Sequence, residues 1–237
     1  MISVLVDERI SDSAERALLL KGFYPIRLPR HPSLPDAISS HPDSLIFYHG
    51  KELFAPAEYC DLAPYVFTDI RERHPNIKIR FTSDTLGNSY PEDCKMNALC
   101  INNKLFANPA SLSESVSDYA RESGIKLVGT RQGYPACTTL AFGSFAITSD
   151  KGLAKTLSAN GVSVTIIQNG GISLPPYEYG FIGGASGVFC DKVYFLGDYK
   201  SHPSGEAIEQ ALTSKGFTPI SLSNEPLADL GGLIFLE

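Results

Sequence analysis

Leu140-Ala141-Phe142-Gly143-Ser144-Phe145-Ala146-Ile147-Thr148 is followed by a helical stretch over 151–160 and then by Gly161-Val162-Ser163-Val164-Thr165-Ile166-Ile167. That order of elements decides the fold. The first segment reads as two short strands about Gly143-Ser144, a plausible two-residue hairpin turn. The second carries Leu153, Ala154 and Leu157 at spacings of three and four, which gives one apolar face. A Gly just past a helix is the usual left-handed cap, and the β-branched run after Gly161 reads as a strand. The unit is therefore strand, strand, helix, strand.

The same order recurs along the chain, and a repeat must be recognised before any motif is weighed. Helix-ending glycines followed by strands stand at Gly22-Phe23-Tyr24-Pro25-Ile26, Gly124-Ile125-Lys126-Leu127-Val128 and Gly216-Phe217-Thr218-Pro219-Ile220. A further copy, Pro75-Asn76-Ile77-Lys78-Ile79, lacks the Gly. Amphipathic stretches precede them over 13–21, 65–73, 111–123 and 204–215. Hairpins are expected over 44–54, 98–106 and 188–196, with turns at His49-Gly50, Asn102-Asn103 and Asp191-Lys192.

Only four hairpins are whole, and the two ends of the chain supply the fifth. Gly232-Leu233-Ile234-Phe235-Leu236 reads as a first strand and Ile2-Ser3-Val4-Leu5-Val6 as a second. Pairing them leaves no open repeat edge. The expectation is an α/β chain, a five-bladed pseudo-symmetric propeller of β-β-α-β units closed by its terminal strands. It forms one domain over 1–237, with units 233–237 plus 1–43, 44–97, 98–138, 139–187 and 188–232. An open doubly wound sheet is the alternative, but it needs single strands alternating with helices.

Composition narrows the functional classes. The 237 residues are 43% hydrophobic and 19% charged, enough to bury a core. The net charge of −6 and the scattered basic residues argue against a nucleic-acid surface. No apolar run approaches the roughly 20 residues that span a bilayer. The N-terminus reads as a strand without a basic leader, so the expected location is the cytoplasm. Five cysteines without a close CxxC pair suit reduced thiols, not a disulfide framework or zinc ribbon.

The loops joining consecutive units hold the unusual residues, and in a ring they approach the axis. They are Ser40-His41-Pro42-Asp43, Tyr90-Pro91-Glu92-Asp93-Cys94-Lys95-Met96-Asn97, Gln132-Gly133-Tyr134-Pro135-Ala136-Cys137, Tyr179-Gly180-Phe181-Ile182-Gly183-Gly184 and Asp229-Leu230-Gly231-Gly232. Five such units resemble the pentein fold of the guanidine-modifying superfamily. That superfamily includes arginine deiminases, dimethylarginine dimethylaminohydrolases and amidinotransferases. Tyr90-Pro91-Glu92-Asp93, Gln132-Gly133-Tyr134 with Cys137, and Tyr179 to Gly184 resemble an uncharacterised bacterial family assigned to that fold.

The resemblance implies a Cys-dependent hydrolase or transferase acting on a small guanidine or amidine at the central channel. Cys137 would be the nucleophile and His41 the general acid/base, with Asp43 and Asp93 holding a cation. Asn97, Gln132, Tyr134, Tyr179, Gly183 and Gly184 would complete the ligand-binding set. A thiolate attacks the amidine carbon, His moves the proton and carboxylates neutralise the guanidinium. Such a nucleophile is expected to have a depressed pKa and to outpace the other four thiols with iodoacetamide. In the superfamily the Cys usually follows Gly-Gly in the last junction, whereas here Gly231-Gly232 leads into Leu233.

Plainer readings stand beside these. Cys137 reads equally as a small buried apolar residue, His41 as a turn residue before Pro42, and Asp93 as a cap. Gly183 to Gly187 lacks the Lys of a phosphate loop. No ligand spacing supports a metal at His41, Asp43, Asp93 and Cys137, so no metal or cofactor is expected. A non-catalytic pentein that binds a small molecule or a protein is the alternative function, as with the ribosome-subunit anti-association factors of this fold.

Overall fold

The computed structural model describes residues 1–237. Five three-stranded sheets share one pattern: an antiparallel hairpin whose second strand pairs in parallel with a third. In the second unit Phe47–His49, Glu52–Pro56 and Lys78–Thr82 make the sheet. Leu99–Ile101, Lys104–Ala107 and Lys126–Gly129 make the third. Thr139–Phe142, Phe145–Thr148 and Ser163–Ile166 make the fourth. Ser186–Phe189, Lys192–Phe195 and Thr218–Ser221 make the fifth.

The first sheet is assembled from both ends of the chain. Ile234–Leu236 runs antiparallel to Ile2–Asp7, with Val4 opposite Phe235, and Ile2–Asp7 runs parallel to Phe23–Leu28. The open doubly wound alternative is thereby excluded. A helix or helix pair links the second and third strands of each unit: Asp12–Leu20, Ala57–Leu62 with Pro64–Arg73, Glu114–Glu122, Lys151–Ala159 and Gly205–Thr213. None is long and apolar enough to cross a membrane.

Local chemistry accounts for the helix limits. The Ser11 and Asp150 side chains accept from the amides of Ala14 and Leu153, satisfying N-terminal donors. Past the helix ends, Gly22, Gly124, Gly161 and Gly216 all take positive φ, between 68° and 85°. The hairpin turns differ from expectation in two places. The second unit turns at Gly50-Lys51 (φ 57° and 68°), one residue later than His49-Gly50. The fifth turns at Cys190-Asp191, one residue earlier than Asp191-Lys192, with Cys190 at φ 53°. Strand register decides both. Pairing Val188 with Val193 puts Val193 and Phe195 in the cluster shared with the fourth unit and Tyr194 in that shared with the first, and a one-residue slip would exchange the two faces.

The interior consists of five apolar clusters, each shared by two consecutive units. Leu5 and Leu28 pack with Leu53, Phe67 and Ile70. Phe47 and Phe54 pack with Leu105 and Val116. Leu99 and Phe106 meet Leu153 and Leu157. Leu140 and Ile147 meet Phe195 and Ile208. The last cluster joins the fifth unit to the first, with Tyr194 and Leu222 against Val4, Leu18 and Phe23. Phe235, on the C-terminal strand, lies in this cluster with its ring 4.9 Å from Phe23 and 5.4 Å from Phe189.

A sixth sheet was not anticipated. Ile172–Ser173 pairs in parallel with Leu227–Ala228. It ties the long fourth junction to the segment just before Asp229.

If the C-terminal strand is a structural member, Phe235→Ala should cost about 3–5 kcal/mol in urea unfolding, the usual penalty for emptying a buried aromatic site. A loss under about 1 kcal/mol, typical of an exposed position, would show it to be a dispensable tail.

Candidate functional site

Three of the junctions are built alike: a proline opens a single helical turn that carries an ionisable side chain. Pro42 starts the turn Pro42–Leu45, Pro91 precedes Glu92–Cys94, and Pro135 starts Pro135–Thr138. Proline suits this position because its φ is preset and the first helical amide has no partner to lose. The turns present His41 with Asp43, Asp93, and Cys137 respectively. Asp43 N–H donates to the Gly231 carbonyl at 3.2 Å, and Gly184 N–H donates to the Cys137 carbonyl at 2.9 Å. First, third, fourth and fifth junctions are thus cross-linked by main-chain bonds.

Asp229 is delivered by the small sixth sheet, where its N–H donates to the Ser173 carbonyl at 2.9 Å. Its carboxylate accepts from the amides of Phe181 (2.8 Å) and Gly231 (3.1 Å). It also accepts from the Cys137 thiol, with Sγ 3.3 Å and 3.5 Å from its two oxygens. This packing leaves no room beside Gly184: a Cβ there would strike Asp229 and come within 2.8 Å of Cys137 Sγ. A Cβ at Gly183 would strike the Ala136 carbonyl.

His41 is fully buried, and neither ring nitrogen has a hydrogen-bond partner. Three carboxyl groups surround it: Asp7 at 3.9 Å from Nε2, with Asp43 at 4.0 Å and Asp229 at 3.9 Å from Nδ1. One cation answers them. Arg9 grips Asp7 through Nε (2.9 Å) and Nη2 (2.6 Å) and spends further donors on the Asp36 and Ala37 carbonyls. The cluster is short of positive charge.

Burial first, and the neighbouring acids second, set the protonation states. Burial, then the Asp229 charge, pushes the Asp43 carboxyl up to about 8, so it holds a proton at neutral pH. Burial lowers the His41 pKa, with Asp229 and Asp7 opposing, and the ring is neutral. Burial, followed by Asp229 and Asp43, pushes the Cys137 thiol well above its ordinary value. The expected depressed pKa is therefore overturned: the sulfur is surrounded by acids, not by the cations that stabilise a thiolate.

Cys137 forms part of the wall of a cavity of about 390 Å³, with Ile38, Tyr134, Leu174, Tyr177, Glu178, Tyr179 and Phe181. Asp43 lines a second hollow, of about 170 Å³, with Met96, Gly183 and Gly231. The buried cluster separates the two. The nearest donor atoms of His41, Asp43 and Cys137 lie within 4.8 Å of one another. That nitrogen, oxygen and sulfur set is one that a divalent ion such as zinc accepts, although no ligand spacing in the sequence suggested it.

The remaining expected site residues fall into two groups. Asn97 joins the cluster, accepting from Ala136 N–H at 2.9 Å and reaching the Asp43 carboxyl. Tyr134 and Tyr179 line the cavity. Asp93 instead sits against the Tyr134 hydroxyl, where its charge, after burial, raises that group's pKa. Gln132 bonds Asp150 (2.8 Å) and the Tyr134 amide (3.2 Å), holding the loop that carries Tyr134. Sequence reasoning missed Asp7, Arg9, Glu178 and Asp229. The one available signal was Asp7 and Asp229 each ending an apolar stretch, where an unsupported acid is costly to bury.

The chain belongs to the Family of unknown function (DUF6873), which it matches over residues 5–234. No curated protein matches it. Among solved structures it is similar to the dimethylarginine dimethylaminohydrolase of Pseudomonas aeruginosa complexed with citrulline. The TM-score is 0.59 at 9% identity, covering 94% of this chain and 92% of that one. It is also similar to SxtG, an amidinotransferase of the saxitoxin pathway from Microseira wollei (TM-score 0.55, 10% identity, 93% and 88% covered). A third is the substrate-bound N-terminal domain of ArgZ, a cyanobacterial arginine dihydrolase (TM-score 0.52, 12% identity, 94% and 92% covered). The chain has the pentein fold that these proteins share.

Two measurements check the electrostatics. Cys137 should label with iodoacetamide at pH 7 more slowly than exposed Cys190, and Asp229→Asn should speed it by removing a charge that disfavours the thiolate. Cys137 labelling first in the wild type, or indifferent to Asp229→Asn, would contradict this. The raised Asp43 pKa favours the folded state fully below about 4 and is lost as pH rises through about 8. The stability gained by Asp43→Asn over wild type should therefore grow from pH 4 to pH 8 in urea melts; a constant difference would refute it.

Proposed function

We propose that this member of the Family of unknown function (DUF6873) is a cysteine-dependent hydrolase or transferase acting on a small guanidine or amidine. The observation that carries the reading is the convergence of His41, Asp43, Asp229 and Cys137, drawn from three separate junctions, with Cys137 in the wall of the cavity. In the same reading the five sheets form a closed five-bladed ring in one domain over 1–237. The apolar cluster joining the fifth unit to the first supports that closure. The five unpaired thiols support a cytoplasmic setting.

The charge deficit gives the reaction its order. In the resting protein Cys137 is a thiol bonded to Asp229. A cation entering the cavity offsets the buried carboxylates, and the factors holding the thiol pKa up weaken. The thiol proton passes to Asp229, and the sulfur attacks the amidine carbon to form a C–S bond. The departing amine takes that same proton from Asp229, relayed through the His41 ring, as its C–N bond breaks; the proton His41 later accepts from the attacking water or amine is the one returned to the sulfur. Water or an acceptor amine, deprotonated by neutral His41, then attacks the same carbon, and the C–S bond breaks to return the thiol. Asn97 steadies Asp43. Tyr134 and Tyr179 flank the ligand, Gly183 and Gly184 let the fourth junction close on Cys137, and Asp93 and Gln132 hold the Tyr134 loop.

The test is a panel of small guanidines and amidines assayed for amine release, with mass spectrometry of the trapped protein. The wild type should carry a covalent adduct on Cys137. Cys137→Ala should abolish both adduct and turnover, and His41→Ala should lower kcat by about 10²- to 10⁴-fold. Activity surviving Cys137→Ala would sink the thiol mechanism, and activity lost on dialysis against a chelator would favour a metal held by His41, Asp43 and Cys137. The raised thiol pKa favours a second reading, a non-catalytic binding site; there Cys137→Ala leaves ligand affinity intact and no substrate turns over.

A further inference from the structure

The walls of the cavity say more about the ligand than its floor does. Four aromatic rings (Tyr134, Tyr177, Tyr179 and Phe181) and the side chains of Ile38 and Leu174 make almost all of the lining. Tyr179 and Phe181 are set edge to face at 6.1 Å, so their faces are fixed in place. The single charged group in the wall is Glu178, and no Lys, Arg or His lines it. Arg9, the cation of the buried cluster, is committed to Asp7.

An amino-acid guanidine would bring a carboxylate into this space. That carboxylate needs a cation or a set of free amides once it leaves water. The wall amides of Tyr134, Tyr177 and Phe181 are already bonded to Gln132, Leu174 and Asp229, and those left over at Glu178 and Tyr179 adjoin the Glu178 carboxylate itself. Glu178 would repel it from the wall, and Asp229 from behind Cys137. A cation with an apolar body meets the opposite conditions. Aromatic faces attract it, its methylenes lie against Leu174 and Ile38, and the acids offset its charge.

Resting on the guanidine reading above, we infer that the site takes a guanidinium or amidinium cation with an apolar body and no carboxylate. The cavity thereby selects against the amino-acid members of that substrate class. A second amino group at the far end is compatible, because Glu178 can face it.

Three probes of equal chain length separate the possibilities: n-butylguanidine, 4-aminobutylguanidine and 4-guanidinobutanoate, titrated calorimetrically into the wild-type protein. The first two should bind, and the carboxylate should bind at least about tenfold more weakly. Glu178→Gln should weaken 4-aminobutylguanidine more than n-butylguanidine, bringing the two affinities together. Equal or tighter binding of 4-guanidinobutanoate would overturn this inference and leave the guanidine reading standing. No binding of any probe at about 10 mM would overturn the guanidine reading and this inference with it.

Discussion

The antiparallel contact of Ser3, Val4 and Leu5 with Leu236, Phe235 and Ile234 is the constraint on which the rest of the molecule depends. A three-stranded sheet with one helix has too little apolar surface to stand alone, and here no unit does. Every cluster borrows side chains from the next unit, and the fifth is completed across the chain ends by Tyr194, Leu222, Val4 and Phe23. Without the terminal strand the first sheet loses an edge and the fifth unit loses part of its cover. The junctions that meet between the units would then lose their common frame.

Within that frame the site is held mainly by backbone. Proline-started turns fix His41, Asp43 and Cys137, and amide–carbonyl bonds link the turns to Gly231 and Gly184. What the backbone brings together is electrostatically incomplete. Three acids each lie about 4 Å from one imidazole, with one arginine already committed. The protein tolerates this by keeping Asp43 protonated and His41 neutral. Such a cluster is poised to respond to charge arriving from outside, whereas a preformed thiolate is poised to react with anything electrophilic. The aromatic wall then determines which charges arrive.

Much of the fold was legible in the sequence because its signals are local. Gly22, Gly124, Gly161 and Gly216 mark helix ends through a backbone requirement, and the apolar strands at 2–6 and 233–236 announce themselves by composition. Turn positions at Gly50-Lys51 and Cys190-Asp191 were misplaced by one residue, since register is set by which face reaches a core made by another unit. The two-residue strands at Ile172–Ser173 and Leu227–Ala228 are too short to carry a pattern. Among site residues, His41, Asp43 and Cys137 stood out by type and junction. Asp229 was passed over because its partners, the Phe181 amide and the Cys137 thiol, lie 48 and 92 residues away. The high pKa of Cys137 is likewise a property of neighbours that no local reading contains.

The split first sheet also bears on how the protein is made. Ile2–Asp7 leaves the ribosome long before its antiparallel partner, Ile234–Leu236. Units two to four have their strands in sequence order and can condense as they emerge. Ile2–Asp7 meanwhile carries an unpaired edge until Ile234–Leu236 is made, a time during which it can pair with other nascent chains. Closing so long a loop is entropically slow rather than prohibitive. The first sheet closes only when Ile234–Leu236 is captured, and the frame that brings the junctions together is completed only then.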